Sequence, residues 1–140
     1  MRKKGYQPGL FQYVFDTSSL INIERLKKMG HLRQRVGEII IPEKVAEEIN
    51  HPGKPLASLV QKHPQIVAKF NGREEEEEYL RILSLPGMDP GEAAAIVIAL
   101  RRRLPLVVDD KMGRATAKNY GLQTLSWKDF INGTVPDEES

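Results

Sequence analysis

The chain has 140 residues, 40% hydrophobic and 29% charged, with a formal charge of only +2. That is the length and balance of one soluble domain with its own core, and total charge alone does not argue for nucleic acid. The absence of cysteine excludes disulfides and thiolate metal sites. His31, His51 and His63 show no ligand spacing, so no zinc site is assigned. No apolar run reaches membrane-spanning length, and no apolar secretory stretch follows Met1-Arg2-Lys3-Lys4. The expected location is the cytoplasm.

Residues 1–11 read as a basic lead-in. Gln12-Tyr13-Val14-Phe15-Asp16 is aromatic and β-branched, which predicts a strand. Thr17-Ser18-Ser19 supplies capping hydroxyls for a helix with the apolar stripe Leu20, Ile21, Ile23 and Leu26. Gly30 marks a break. Val36 to Ile41 predicts a second strand interrupted at Gly37, and Pro42 suits the first turn of a helix whose inner side is Val45, Ala46 and Ile49. A loop over 51–55, a short helix over 56–63 and a strand or extended segment over 65–70 follow.

Arg73 to Leu83 reads as a helix, with Glu74 through Glu78 a solvated face. Asp89-Pro90-Gly91-Glu92 opens a helix that is apolar on every side and closed by Arg101-Arg102-Arg103. Pro105 to Asp109 predicts a strand. Lys111 to Tyr120 reads as a helix stopped by Gly121, Leu122 to Leu125 as a last strand, and Ser126 as the cap of a short helix through Ile131. The tail from Asn132 is polar and expected to fray. Strands alternate with helices, so the expected architecture is a single three-layer α/β/α domain with a mainly parallel sheet.

Acids recur where apolar elements end. Asp16 and Asp110 follow apolar strands, Glu48 lies on the helix after the second strand, and Glu92 begins the buried helix. Carboxylates are costly at such places. Together they suggest a negative pocket for a hard divalent ion, Mg²⁺ or Mn²⁺, and hence metal-assisted phosphoryl chemistry. Each has a plainer reading. Asp16 is also a helix cap, and Asp89-x-x-Glu92 has the form of a capping box. Glu48 could simply form a salt bridge. One of Asp109 and Asp110 caps the next helix and the other faces the crevice; we take Asp110 as the ligand, with Asp109 beside it. Ser18 is expected to add a hydroxyl ligand or to fix Asp16. Lys111 and Arg114, close behind Asp110, are the expected phosphate contacts. Arg101, Arg102 and Arg103 are read as helix-end charge.

These segments resemble the motifs of PIN-domain nucleases. Val14-Phe15-Asp16-Thr17-Ser18-Ser19-Leu20-Ile21 is similar to the opening motif, and Ile41-Pro42-x-x-Val45-x-x-Glu48-Ile49 to the second. Glu92-Ala93-Ala94-Ala95-Ile96-Val97-Ile98-Ala99 resembles the third, in which many members carry Asp. Leu104-Pro105-Leu106-Val107-Val108-Asp109-Asp110-Lys111 resembles the fourth, with Val108 where many active members carry Thr or Ser. The four occur in family order, over residues 13 to about 130. The resemblance implies a PIN-like fold and a Mg²⁺- or Mn²⁺-dependent ribonuclease with Asp16, Glu48, Glu92 and Asp110 as catalytic metal ligands. It further implies RNA as substrate, a homodimer, and a VapC-type toxin with an antitoxin partner. A competing reading is a nucleic-acid- or protein-binding module with weak or no catalysis on the same fold, favoured by Val108.

Overall fold

The computed structural model describes residues 11–25, 36–49 and 65–132. Residues 1–10 of the basic lead-in, Leu26, Gly30, the loop over 51–55, the helix expected over 56–63 and the terminal tail beyond 132 lie outside the described residues, while Phe11, read as the end of the lead-in, opens the first strand. In chain order the elements are β1 (Phe11–Phe15), α1 (Thr17–Arg25), β2 (Val36–Pro42), α2 (Glu43–Ile49), β3 (Gln65–Ala68), α3 (Arg73–Leu83), α4 (Pro90–Arg102), β4 (Leu106–Val107), α5 (Lys111–Asn119), β5 (Thr124–Leu125) and α6 (Trp127–Ile131).

The five strands form one sheet in the order β3-β2-β1-β4-β5, with every neighbouring pair parallel. The three-layer α/β/α reading holds. Strand alternation sorts side chains to two faces. Tyr13, Phe15, Ile39, Ile41 and Val107 pack with Leu20, Ile23, Val45, Trp127 and Phe130 from α1, α2 and α6. Val14, Ile40 and Leu106 pack on the other face with α4 and with Tyr79, Ile82 and Ala117 from α3 and α5. Helix α4 is buried from Gly91 through Ala99, as its all-round apolar sequence requires.

Several local expectations shift. Gly37 does not interrupt β2. Between Val36 and Ile39 the strand carries one more residue than β1 does between Phe11 and Tyr13, so the glycine sits in a bulge rather than a break. Pro42 is the last residue of β2, opposite Ala68, and the helix begins one residue later. Strands β4 and β5 are only two residues each, although Val108 N–H donates to Leu125 O at 2.9 Å and continues their ladder. The run of glutamates on α3 is exposed at Glu74, Glu76 and Glu77. Glu78 is buried and takes Arg101 Nε at 3.1 Å, so Arg101 pins α3 to α4 besides sitting at a helix end.

The sheet order turns back between β1 and β4. In open parallel sheets the crevice beyond the carboxyl ends of the strands at such a turn is where ligands bind. The residues that follow β1 and β4 are Asp16 and Val108-Asp109-Asp110.

Candidate metal centre

Three helices start at this crevice, and each brings a carboxylate. Asp16 caps α1: its Oδ1 accepts from Ser19 N–H at 3.0 Å. Asp16 is thus the helix cap that its plainer reading made it. Asp89 caps α4, its Oδ1 accepting from Gly91 N–H at 2.8 Å and Glu92 N–H at 3.4 Å. Asp110 caps α5, its Oδ2 accepting from Gly113 N–H at 2.9 Å. The preferred choice for the Asp109-Asp110 pair, with Asp109 as cap and Asp110 free, is reversed as to the cap: Asp110 caps α5, and Asp109 is held by Asn22 Nδ2 at 2.9 Å.

Glu92 stands in the first turn of α4 and is 4% exposed. Because Asp89 caps the helix, the Glu92 carboxylate lies instead against Gly113 and hydrogen-bonds Asp110. Burial pushes its carboxyl up to about 8, and the charges of Asp110, Asp16 and Asp89 push the same way. Burial likewise pushes Asp16 up to about 6; its bonds from Ser19 pull down, and Asp89 and Asp109 push up. The positive ends of three helices favour these acids but do not outweigh desolvation and mutual repulsion.

Asp16, Glu92 and Asp110 therefore meet at one crevice, with Asp89 and Asp109 around them. Glu48 lies on α2, which contacts α4; its side chain is outside the described residues. Ser18 is exposed, and the support expected of it comes from Ser19. Ser19 is fully buried, bonds Asp16, and donates its hydroxyl to Val107 O at 3.2 Å, tying α1 to the end of β4. Helical phase is the signal for this choice: Ser19 falls on the face of Leu20 and Ile23, whereas Ser18 does not. Val108 is fully buried within the apolar cluster under α4. Lys111 is exposed beside Asp110, as a phosphate contact requires. Arg114 is not a free cation: its Nη1 donates to Asp109 O at 3.0 Å and Val108 O at 3.4 Å, bracing the turn that presents Asp109 and Asp110.

The donor set suits a hard divalent cation, being carboxylate oxygen throughout. Among the described residues no lysine or arginine is ion-paired to these acids. No three carboxylates among the described residues stand as a ready-made cage. The caps explain this: one oxygen each of Asp16 and Asp110 is turned to a backbone N–H, and Glu92 is turned to Asp110. Each carboxylate has a second oxygen beyond those bonds. A cleft of about 440 Å³ lined by Leu100, Arg103, Leu104, Gly121, Leu122 and Gln123 lies at the opposite, amino end of β4 and β5, away from this chemistry. Among the described residues no helix is long and apolar enough to cross a membrane.

Comparison with known proteins agrees with this fold. Residues 12–126 match the family DUF3368, described as a PIN domain. No curated protein matches the chain. Among solved structures, a PilT N-terminus domain protein from the archaeon Sulfolobus solfataricus is similar over 87% of this chain and 92% of its own, with TM-score 0.66 and 16% identity. A protein of Pyrobaculum aerophilum is similar over 87% and 95%, with TM-score 0.57 and 16% identity. A domain of a functionally unknown protein from Methanocaldococcus jannaschii is similar over 84% and 91%, with TM-score 0.51 and 22% identity. At such identities these neighbours speak for the fold, and the family match speaks for descent. With acids at the crevice where a parallel sheet turns back, and that match running through both, the chain belongs to the PIN-domain family, whose members are typically nucleases.

Proposed function

We propose that the protein is a divalent-metal-dependent ribonuclease that hydrolyses RNA phosphodiester bonds. The observation that carries this is the meeting of Asp16, Glu92 and Asp110, two of them buried and with proton affinities raised above the usual carboxylate range by desolvation and by one another's charge. Asp16, Glu92 and Asp110 would hold Mg²⁺ or Mn²⁺, joined by Glu48 from the neighbouring α2. When bound, the ion supplies countercharge to the acids and Lewis-acid activation for attack of water on a phosphodiester. Glu92 carries the proton of its bond to Asp110 and must give it up for both oxygens to serve as anionic donors. Ser19 and Asn22 fix the orientations of Asp16 and Asp109, and Arg114 fixes the turn between β4 and α5. Lys111, exposed beside Asp110, would meet a backbone phosphate, and grip by base stacking is not indicated in a chain with 6% aromatic residues.

Further parts of the reading are a cytoplasmic location, a homodimer and a role as toxin with an antitoxin partner. The rival is a nucleic-acid- or protein-binding module of the same fold, with weak or absent catalysis. Its favouring observation is that the acids stand engaged in caps and not as a preassembled cage. Incubation of end-labelled RNA with the protein and Mn²⁺, with Asp16→Asn as control, decides between them. Metal-dependent cleavage lost in Asp16→Asn supports the nuclease; binding of RNA without cleavage by either protein supports the rival.

A further inference from the structure

Gly113 lies inside α5, where a glycine weakens the helix and calls for a reason. A Cβ placed on it would stand 2.5 Å from Glu92 Oε2, 2.7 Å from Cδ and 3.1 Å from Cγ. Atoms do not approach so closely without one of them moving. The N–H of the same residue donates to Asp110 Oδ2 at 2.9 Å. One buried residue thus touches two acids that arrive on different helices.

We propose that Gly113 is a positioning residue. By lacking a side chain it admits the Glu92 carboxylate beside Asp110, and by its N–H it aims Asp110, so that both acids address one divalent cation. This rests on the metal-dependent reading above. The atom displaced by an added methyl is the far end of a flexible side chain, so the clash is relieved by evicting the carboxylate and not by moving the helix. Alanine also favours helix over glycine. Gly113→Ala is therefore expected to leave the fold as stable as before, or more so, while disordering the metal centre.

The test is calorimetric titration of Mn²⁺ into the full chain as wild type, Gly113→Ala, Glu92→Asp and the double variant, with thermal melts of each. Gly113→Ala is expected to bind Mn²⁺ at least about tenfold more weakly with no fall in Tm. In the Glu92→Asp background, where the carboxylate is one methylene shorter, the same change is expected to cost less than about threefold. Wild-type affinity in Gly113→Ala, an equal loss in both backgrounds, or a loss that accompanies a lowered Tm overturns the positioning role. A wild-type chain that takes up no Mn²⁺ overturns the metal reading itself, and so the two failures are told apart.

Discussion

Glu92 and Asp110 share a hydrogen bond although they open two different helices, α4 and α5. Two carboxyl groups can do so only while one keeps its proton. In this protein that one is Glu92, and the bond makes the site's charge depend on pH.

The first prediction concerns stability without metal. Asp16 is pushed up to about 6 and Glu92 to about 8, both above their values in an unfolded chain. A group that binds its proton more tightly when folded stabilises the fold fully below its unfolded value. That contribution is lost as pH rises through the folded value. The metal-free protein should therefore lose stability between about pH 4 and pH 8. Each tenfold difference in proton affinity is worth about 1.4 kcal/mol, so the loss is on the order of a few kcal/mol. Thermal melts in a chelator across this range check it. Glu92→Gln should remove the upper part of the decline, and Mn²⁺ should restore Tm at pH 8 in the wild type only.

Asn22 is predicted to matter to catalysis more than to folding. It holds Asp109 at 2.9 Å from α1, 87 residues away in sequence. Asn22→Ala should lower Tm slightly, by about 1 kcal/mol of stability, and reduce kcat about 10- to 100-fold. Single-turnover cleavage measured beside thermal melts separates the two effects.

Lys111 and Arg114 should behave differently despite their shared charge. Lys111 is exposed, and Lys111→Ala should raise KM for RNA and flatten its salt dependence by roughly one counterion. Arg114 braces backbone carbonyls, so Arg114→Ala should lower Tm and kcat with a smaller change in the salt slope. Binding of labelled RNA across a salt series reads both.

Arg101 serves as a control remote from the crevice. It pairs with buried Glu78 at 3.1 Å, and Arg101→Ala should destabilise by about 1–2 kcal/mol through the carboxylate left behind. Activity per folded molecule should not change. A cleavage defect without a stability defect would contradict the assignment of Arg101 to structure.

Apolar periodicity and caps made most of this fold legible. The strand ending in Asp16, the helix over Arg73–Leu83, the buried helix behind Asp89, and the Ser126 cap all stand where local chemistry predicts them. The meeting of Asp16 and Asp110 follows only if β1 and β4 are neighbours, and the sheet makes them so. What the sequence could not show is pairing at distance. Asn22 with Asp109, Ser19 with Val107, and Gly113 with Glu92 each join residues with no common period or spacing. Ser19 was within reach, since its phase on α1 matches the buried stripe. Gly113 was within reach as a glycine inside a helix. Arg114 was not, because nothing in composition separates a cation that meets carbonyls from one that meets phosphate.

The most direct measurement is anomalous diffraction from crystals soaked in Mn²⁺ above pH 8, where Glu92 is ionised. The expected result is a strong peak bounded by Asp16, Glu92 and Asp110, lost in Asp16→Asn crystals treated alike. Scattering from Mn²⁺ only at other surfaces, with these three carboxylates unmoved from their caps, would contradict the account.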